Sequence, residues 1–133
     1  PNIVNDVTIR AVSRFLNVND ISIINGDFES VLKNIRKGAF VYFDPPYDPV
    51  SKSSNFTGYV QGGFNMFDQV RLRELCDKLD KKGVKFLVSN SATQFILDQH
   101  SDYDISFVKA NRAINSDASK RGEVDEVLIR NYE

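Results

Sequence analysis

The sequence predicts an α/β fold with a mostly parallel sheet, and three features of its pattern indicate this class. Helical and strand patterns alternate along most of the chain. Residues 39–43 form an unbroken apolar run, which is typical of a strand covered on both faces. Residues 104–109 and 124–132 are strand patterns joined by a polar segment, so we expect these last two strands to pair antiparallel or to lie at the sheet edge.

The N-terminal part of the chain predicts a helix, a strand and a second helix. The lead-in segment 1–18 contains the first helix, which Asn5 or Asp6 can cap. Residues 21–24 form a short apolar strand. Asp27 can cap the second helix, and we expect its inward residues to be Phe28, Val31, Leu32 and Ile35, with Gly38 closing it.

The central part of the chain predicts two further helices around a buried strand. Asn65 can cap the third helix, and residues 84–88 form the strand. Ser91 and Gln94 predict a capping box for the fourth helix. The third helix places its inward residues at the spacing i, i+3, i+4 and i+7, namely Leu72, Leu75, Cys76 and Leu79.

The composition limits the classes of protein to consider. The 133 residues allow one domain, and a net charge of −1 argues against a domain that binds nucleic acid by charge alone. The longest apolar runs are about five residues, so we expect neither a membrane span nor an export signal. With one cysteine and one histidine, we expect no disulfide framework, no metal site and a reducing cytoplasm as the compartment.

The strongest chemical signal is the tetrapeptide that follows the strand at residues 39–43. In an open α/β sheet, ligands bind beyond the carboxyl ends of the strands. Pro45 and Pro46 have no N–H, so the turn offers the Asp44 carboxylate and the Pro45 carbonyl without competing donors. Tyr47 adds an aromatic face. Two acceptors beside an aromatic ring suit a planar ligand with an exocyclic amino group. The alternative interpretation is a proline turn that ends the strand and has no function in binding.

This tetrapeptide and four further segments resemble the Dam-type DNA adenine N6-methyltransferases, nearest their DpnM-like branch. The resemblance covers essentially the whole chain and implies a Rossmann-like class I fold that depends on S-adenosylmethionine, with an antiparallel last strand. The other segments are Gly26-Asp27-Phe28, Ser54-Asn55-Phe56-Thr57-Gly58-Tyr59, Leu87-Val88-Ser89-Asn90, and the terminal stretch with Arg112-Ala113-Ile114, Arg121-Gly122, Glu126 and Asn131-Tyr132.

The resemblance implies a reaction in which S-adenosylmethionine methylates the amino nitrogen of adenine in duplex DNA. Asp44 and the Pro45 carbonyl would accept the two amino hydrogens, within the turn that Pro46 shapes. Tyr47 would stack on the adenine after it has flipped out of the duplex. The nearest branch suggests GATC as the recognition site and a restriction endonuclease as a partner.

Other candidate residues each have an alternative structural reading. Asp27 and Phe28, with Asp44, match the place where such enzymes hold the cofactor, but could equally be a helix cap and a core residue. Ser89 and Asn90 could brace the site or form a plain turn. The DNA-binding candidates, whose alternatives are ordinary loop packing and a solvated loop, are Asn55, Phe56, Thr57 and Tyr59 in the long loop and Arg112, Lys120 and Arg121 near the C-terminus.

The chain departs from the family at its N-terminal side. The family's glycine-rich cofactor loop and target-recognition region have no counterpart here, and the resemblance implies a partial sheet that lacks the first two strands. We therefore expect the single domain 1–133 to be the C-terminal catalytic portion of a larger methyltransferase, whose activity alone is a separate question. Sheet edges exposed by the missing strands would favour self-association.

Two alternative functions remain open at this point. The first is methylation of another amino group: cytosine N4, an RNA base or a protein glutamine. Cytosine enzymes usually have Ser at the first motif position and glutamine enzymes Asn, so Asp44 favours adenine. The second is a non-catalytic module for DNA interaction or assembly.

Overall fold

The computed structural model describes residues 4–50, 63–111 and 123–133, and the chain divides after Asn34 into two compact units. The first unit contains two helices, α1 (Asp6–Val18) and α2 (Phe28–Val31). The second unit contains the helices and strands that follow: β1 (Phe40–Phe43), α3 (Met66–Lys81), β2 (Lys85–Ser91), α4 (Gln94–Gln99), β3 (Asp104–Asn111) and β4 (Glu123–Arg130).

Both helices of the first unit begin where the sequence predicts. Asn5 caps α1 by accepting a hydrogen bond from the Thr8 N–H at 3.1 Å, and Asp27 caps α2 by accepting from the Glu29 N–H at 3.0 Å. The predicted length of α2 is wrong, because the helix makes a single turn. Its C-cap is Leu32, so Leu32 and Ile35 lie beyond the helix that was expected to contain them.

The predicted strand at residues 21–24 is also wrong. These residues belong to no strand, and none of the four described strands pairs with them. A strand exists only where its backbone groups bond to a neighbour, so an apolar run without a partner gains nothing from being extended. Ile23 and Ile24 are accordingly exposed.

The four described strands of the second unit form one sheet in the order β1-β2-β4-β3. β1 pairs parallel with β2, whereas β4 runs antiparallel to both β2 and β3. The expectation of a mostly parallel sheet is therefore wrong for this part of the chain. The expected antiparallel last strand is confirmed, because β4 follows β3 without an intervening helix pattern and returns between β3 and β2.

Helix α3 supplies much of the core that supports this sheet. Asn65 forms a complete capping box with Asp68, and Gly83, with φ of 73°, follows the last turn. The helix lies against β2, in which Phe86 and Val88 are fully buried. The predicted inward residues of α3 are all buried, namely Leu72, Leu75, Cys76 and Leu79.

The predicted start of α4 is wrong by two residues. Its N-cap is Thr93, whose hydroxyl accepts from the Ile96 N–H at 3.3 Å. Ser91 instead belongs to β2, because β4 pairs as far along that strand as the Ser91–Glu126 position. Pairing with β4 therefore keeps Ser91 in β2, although the sequence pattern predicted it to be the cap of α4.

Strand β1 is covered on one face only within the described part of the chain. Val41 and Phe43 are buried, but Phe40 and Tyr42 are 55% and 54% exposed. The expectation that both faces would be covered is therefore wrong here, since the strand alternates as a half-buried strand does.

No helix within residues 4–50, 63–111 and 123–133 is long and apolar enough to cross a membrane.

The buried thiol of Cys76 gives a direct test of this core. Burial raises its pKa to about 12, so almost no reactive thiolate exists at neutral pH. We expect a chromogenic disulfide reagent to leave the native chain unmodified at neutral pH and to modify one thiol per chain after unfolding in guanidinium chloride. The Cys76→Ser variant gives the blank. Rapid modification of the native chain would contradict this packing.

Candidate active site

The candidate catalytic turn begins directly at the carboxyl end of β1, beside β2. The parallel register aligns Phe43 with Val88, so Asp44 follows next to Ser89. The buried Ser89 hydroxyl donates to Asp44 Oδ1 at 2.9 Å and accepts from the Tyr42 hydroxyl at 3.1 Å. Asp44 itself stays exposed. Its carboxylate is thus oriented by a donor from the sheet while it remains accessible to a ligand.

The two prolines give the turn one occupied carbonyl and one open carbonyl. The Pro46 carbonyl accepts from Gln69 Nε2 at 3.0 Å, and Gln69 lies in the first turns of α3. Within the described part of the chain, no group donates to the Pro45 carbonyl. The Asp44 carboxylate and the Pro45 carbonyl are therefore two acceptors of the turn that remain available to a ligand within the described residues.

Asp48 closes the turn and ties it to two further elements. Its N–H donates to Asn90 Oδ1 at 2.9 Å, and its carboxylate accepts from the Thr93 hydroxyl at 2.6 Å. Asn90 belongs to β2 and Thr93 caps α4. Ser89 and Asn90 are therefore braces of the turn, which decides between the two readings that the sequence left open.

The Tyr47 side chain lies half-buried at the centre of this turn. Burial raises the pKa of its phenol, and the nearby Glu126 and Asp44 carboxylates act in the same direction. A hydrogen bond with Ser89 opposes the shift but does not reverse it. The phenol is consequently neutral at physiological pH and offers an uncharged ring.

The remaining candidates belong to other parts of the sequence. Asp27 and Phe28 belong to the first unit, where Asp27 is a helix cap and Phe28 is half-buried. No group of three or more His, Cys, Asp or Glu side chains that could hold a metal ion occurs in residues 4–50, 63–111 and 123–133. The proposed DNA-binding residues lie outside the described residues, namely Asn55, Phe56, Thr57, Tyr59, Arg112, Lys120 and Arg121.

Sequence reasoning missed Gln69 and Thr93, which both hold the turn. A signal for Gln69 exists in the sequence, because it lies three residues before Leu72 and thus on the apolar stripe of α3. It is only 2% exposed. A polar residue at an inward helical position needs a buried partner, and Gln69 finds one in the turn. Thr93 was overlooked because the capping box was assigned to Ser91.

Comparison with known proteins identifies the family. The model of the family described as D12 class N6 adenine-specific DNA methyltransferase matches residues 1–114. The chain is 42% identical to a Type II methyltransferase of Lactococcus lactis subsp. cremoris and 40% identical to a Type II methyltransferase of Methanocaldococcus jannaschii, in each case over 99% of this chain and 46% of the relative.

A more distant relative is the DNA adenine methylase of Vibrio cholerae, which is 38% identical over 66% of this chain and 32% of its own length. The chain spans about half the length of the two Type II methyltransferases that it matches. The family match covers the turn, its braces in β2 and the helix that carries Gln69. The chain therefore belongs to the D12 class of N6 adenine-specific DNA methyltransferases.

Proposed function

We propose that the full-length protein carrying this chain methylates the N6 amino group of adenine in duplex DNA, with S-adenosylmethionine as the methyl donor. The observation that carries the proposal is the braced turn, in which an oriented carboxylate and an open carbonyl lie beside a neutral aromatic ring. Family membership supports adenine over cytosine, and DNA over RNA or protein, as the target.

The chemistry of the adenine amino group explains why two acceptors are needed. Its nitrogen lone pair is delocalised into the ring, so the nitrogen is a poor nucleophile. When Asp44 and the Pro45 carbonyl each accept one of its hydrogens, the nitrogen is held pyramidal and its lone pair is freed. The catalytic effect is one of positioning and electrostatics. Asp44 need not be a strong base, because the nitrogen becomes acidic once it is methylated.

Tyr47 would hold the ring of the target base. An adenine must leave the duplex before its amino group can reach the turn, and an aromatic side chain offsets part of the lost stacking. A neutral phenol suits this role because it adds no charge beside Asp44. Pro46 contributes by fixing the backbone direction between the acceptors and the ring.

S-adenosylmethionine supplies an electrophilic methyl group when it is bound. We assign its adenine to Asp27 and Phe28, and we count Asp44 among the residues that bind the cofactor. The Asp27 side chain is exposed and the Phe28 side chain is half-buried, so both have surface that a ligand can reach. A Rossmann-like class I fold for the full-length protein agrees with the parallel β1–β2 pair connected through α3.

The DNA contacts and the partners belong to the same proposal. Residues of the long loop would close over the flipped base or contact DNA, namely Asn55, Phe56, Thr57 and Tyr59. Basic residues near the C-terminus would contact phosphates, namely Arg112, Lys120 and Arg121. The proposal also includes GATC as the recognition site, a restriction endonuclease as a partner and the cytoplasm as the compartment of this protein. Self-association would occur through exposed sheet edges. Two relatives named Type II methyltransferases support a restriction-modification setting.

Replacement of Asp44 tests the reaction itself. We expect Asp44→Ala in the full-length protein to lower methyl transfer by at least about 10²-fold, because one acceptor for the amino group is lost. The measurement is transfer of a labelled methyl group to duplex DNA, with DNA affinity measured by fluorescence anisotropy. Asp98→Ala, at an exposed position of α4, is the control. Near-normal turnover by the Asp44 variant would refute the mechanism.

Replacement of Ser89 tests whether the orientation of Asp44 matters. Ser89→Ala removes the donor to Asp44 but leaves both acceptors in place, so we expect turnover to fall about tenfold with DNA affinity retained. Ser106→Ala, which removes an exposed hydroxyl from β3, should leave turnover unchanged. Equal turnover in the two variants would show that Asp44 needs no support from β2.

A further inference from the structure

Two buried side-chain amides hold the peptide groups on either side of Tyr47. Gln69 Nε2 donates to the carbonyl of Pro46, in the peptide group before Tyr47, at 3.0 Å. Asn90 Oδ1 accepts from the N–H of Asp48, in the peptide group after Tyr47, at 2.9 Å. Gln69 is 2% exposed and Asn90 is fully buried. The amide end of each contact is therefore shielded from water.

The two amides also bond to each other, which fixes their orientations. Asn90 Nδ2 donates to Gln69 Oε1 at 3.1 Å, and Asn90 Oδ1 accepts a second bond from the Ser91 N–H at 2.9 Å. Asn90 must therefore direct its oxygen toward the two N–H groups, and Gln69 must direct its nitrogen toward the Pro46 carbonyl. Turning either amide would set donor against donor or acceptor against acceptor.

We propose that Gln69 and Asn90 are positioning residues that set the backbone conformation of Tyr47 and thereby the place of its ring. The peptide groups that flank a residue define its φ and ψ, so holding both groups fixes the direction of the Cα–Cβ bond. Ser89 acts on side chains, because it holds the Asp44 carboxylate and also hydrogen-bonds the Tyr47 phenol. Gln69 and Asn90 act instead on the backbone on either side of Tyr47. The consequence for catalysis rests on the function proposed above.

The first test measures the support itself and needs neither DNA nor cofactor. Gln69→Met keeps the length of the side chain and removes both of its hydrogen bonds. Leu75→Met, a substitution of similar volume on the buried stripe of α3, is the matched control. In the full-length protein, we expect the Asp48 amide to exchange about tenfold faster in Gln69→Met than in the control. Equal exchange rates would overturn the proposal.

A second variant keeps the test decisive if Gln69→Met does not fold. Gln69→Glu retains an acceptor for Asn90 and replaces the donor to the Pro46 carbonyl with an oxygen, which also adds a buried carboxyl group. We expect the Asp48 amide to stay largely protected in this variant, while methyl transfer still falls because the peptide group before Tyr47 is released. Turnover equal to that of Leu75→Met would contradict the positioning role.

The second test asks whether Gln69 acts through Tyr47. We expect Gln69→Met to lower kcat by about 10-fold to 100-fold with DNA affinity little changed, because a misplaced group near the reacting atoms costs rate. In a Tyr47→Ala background the same substitution should change kcat by less than about twofold, because the ring that Gln69 positions is then absent.

An undiminished effect of Gln69→Met in the Tyr47→Ala background would show a general loss of structure and overturn the proposal. The proposed function and the positioning role of Gln69 and Asn90 can be refuted independently. Absence of methyl transfer by the unmodified protein would contradict the proposed function, and the exchange rate of the Asp48 amide would still decide whether Gln69 and Asn90 hold the turn.

Discussion

The parallel pairing of β1 with β2 is the constraint on which the candidate site depends. Its register aligns Phe43 with Val88, so the residues after β1 meet Ser89 and Asn90 at the end of β2. A shift by one residue would turn these two side chains to the opposite faces of the sheet. The same pairing buries Phe86 and Val88 under α3, the helix that brings Gln69 to the turn.

The polar residues around the turn are buried at the end of an otherwise apolar core. Burying an amide or a hydroxyl is costly unless its hydrogen bonds are made, and Gln69, Ser89 and Asn90 make theirs with the turn or with each other. These bonds occupy the Pro46 carbonyl, the Asp48 N–H and one oxygen of Asp44. Within the described residues, they leave the other Asp44 oxygen and the Pro45 carbonyl available. The hydrogen bonds that the buried polar side chains need thus determine which acceptors of the turn stay available to a ligand.

Features that depend on local chemistry could be predicted from the sequence. Asn5, Asp27 and Asn65 cap helices as expected, because a cap bonds to backbone within its own first turn. The apolar stripe of α3 follows from helical spacing alone. Asp44 directly follows β1 as expected, since proline ends a strand by removing its N–H groups.

Features that depend on distant partners could not be predicted. The apolar residues 21–24 look like a strand but have no described partner, and Phe40 and Tyr42 belong to an apolar run but remain exposed. Ser91 matches a capping box, yet pairing with β4 retains it in the strand. The role of Gln69 depends on a turn more than twenty residues away in sequence, which helical periodicity does not report.

We infer that the turn after β1 receives an adenine amino group between a carboxylate and a carbonyl. The most direct measurement is a crystal structure of the full-length protein with duplex DNA and an unreactive cofactor analogue. We expect the target adenine outside the duplex, with its N6 about 3 Å from both an Asp44 carboxylate oxygen and the Pro45 carbonyl oxygen. An N6 bonded to neither oxygen in such a complex would contradict the claim.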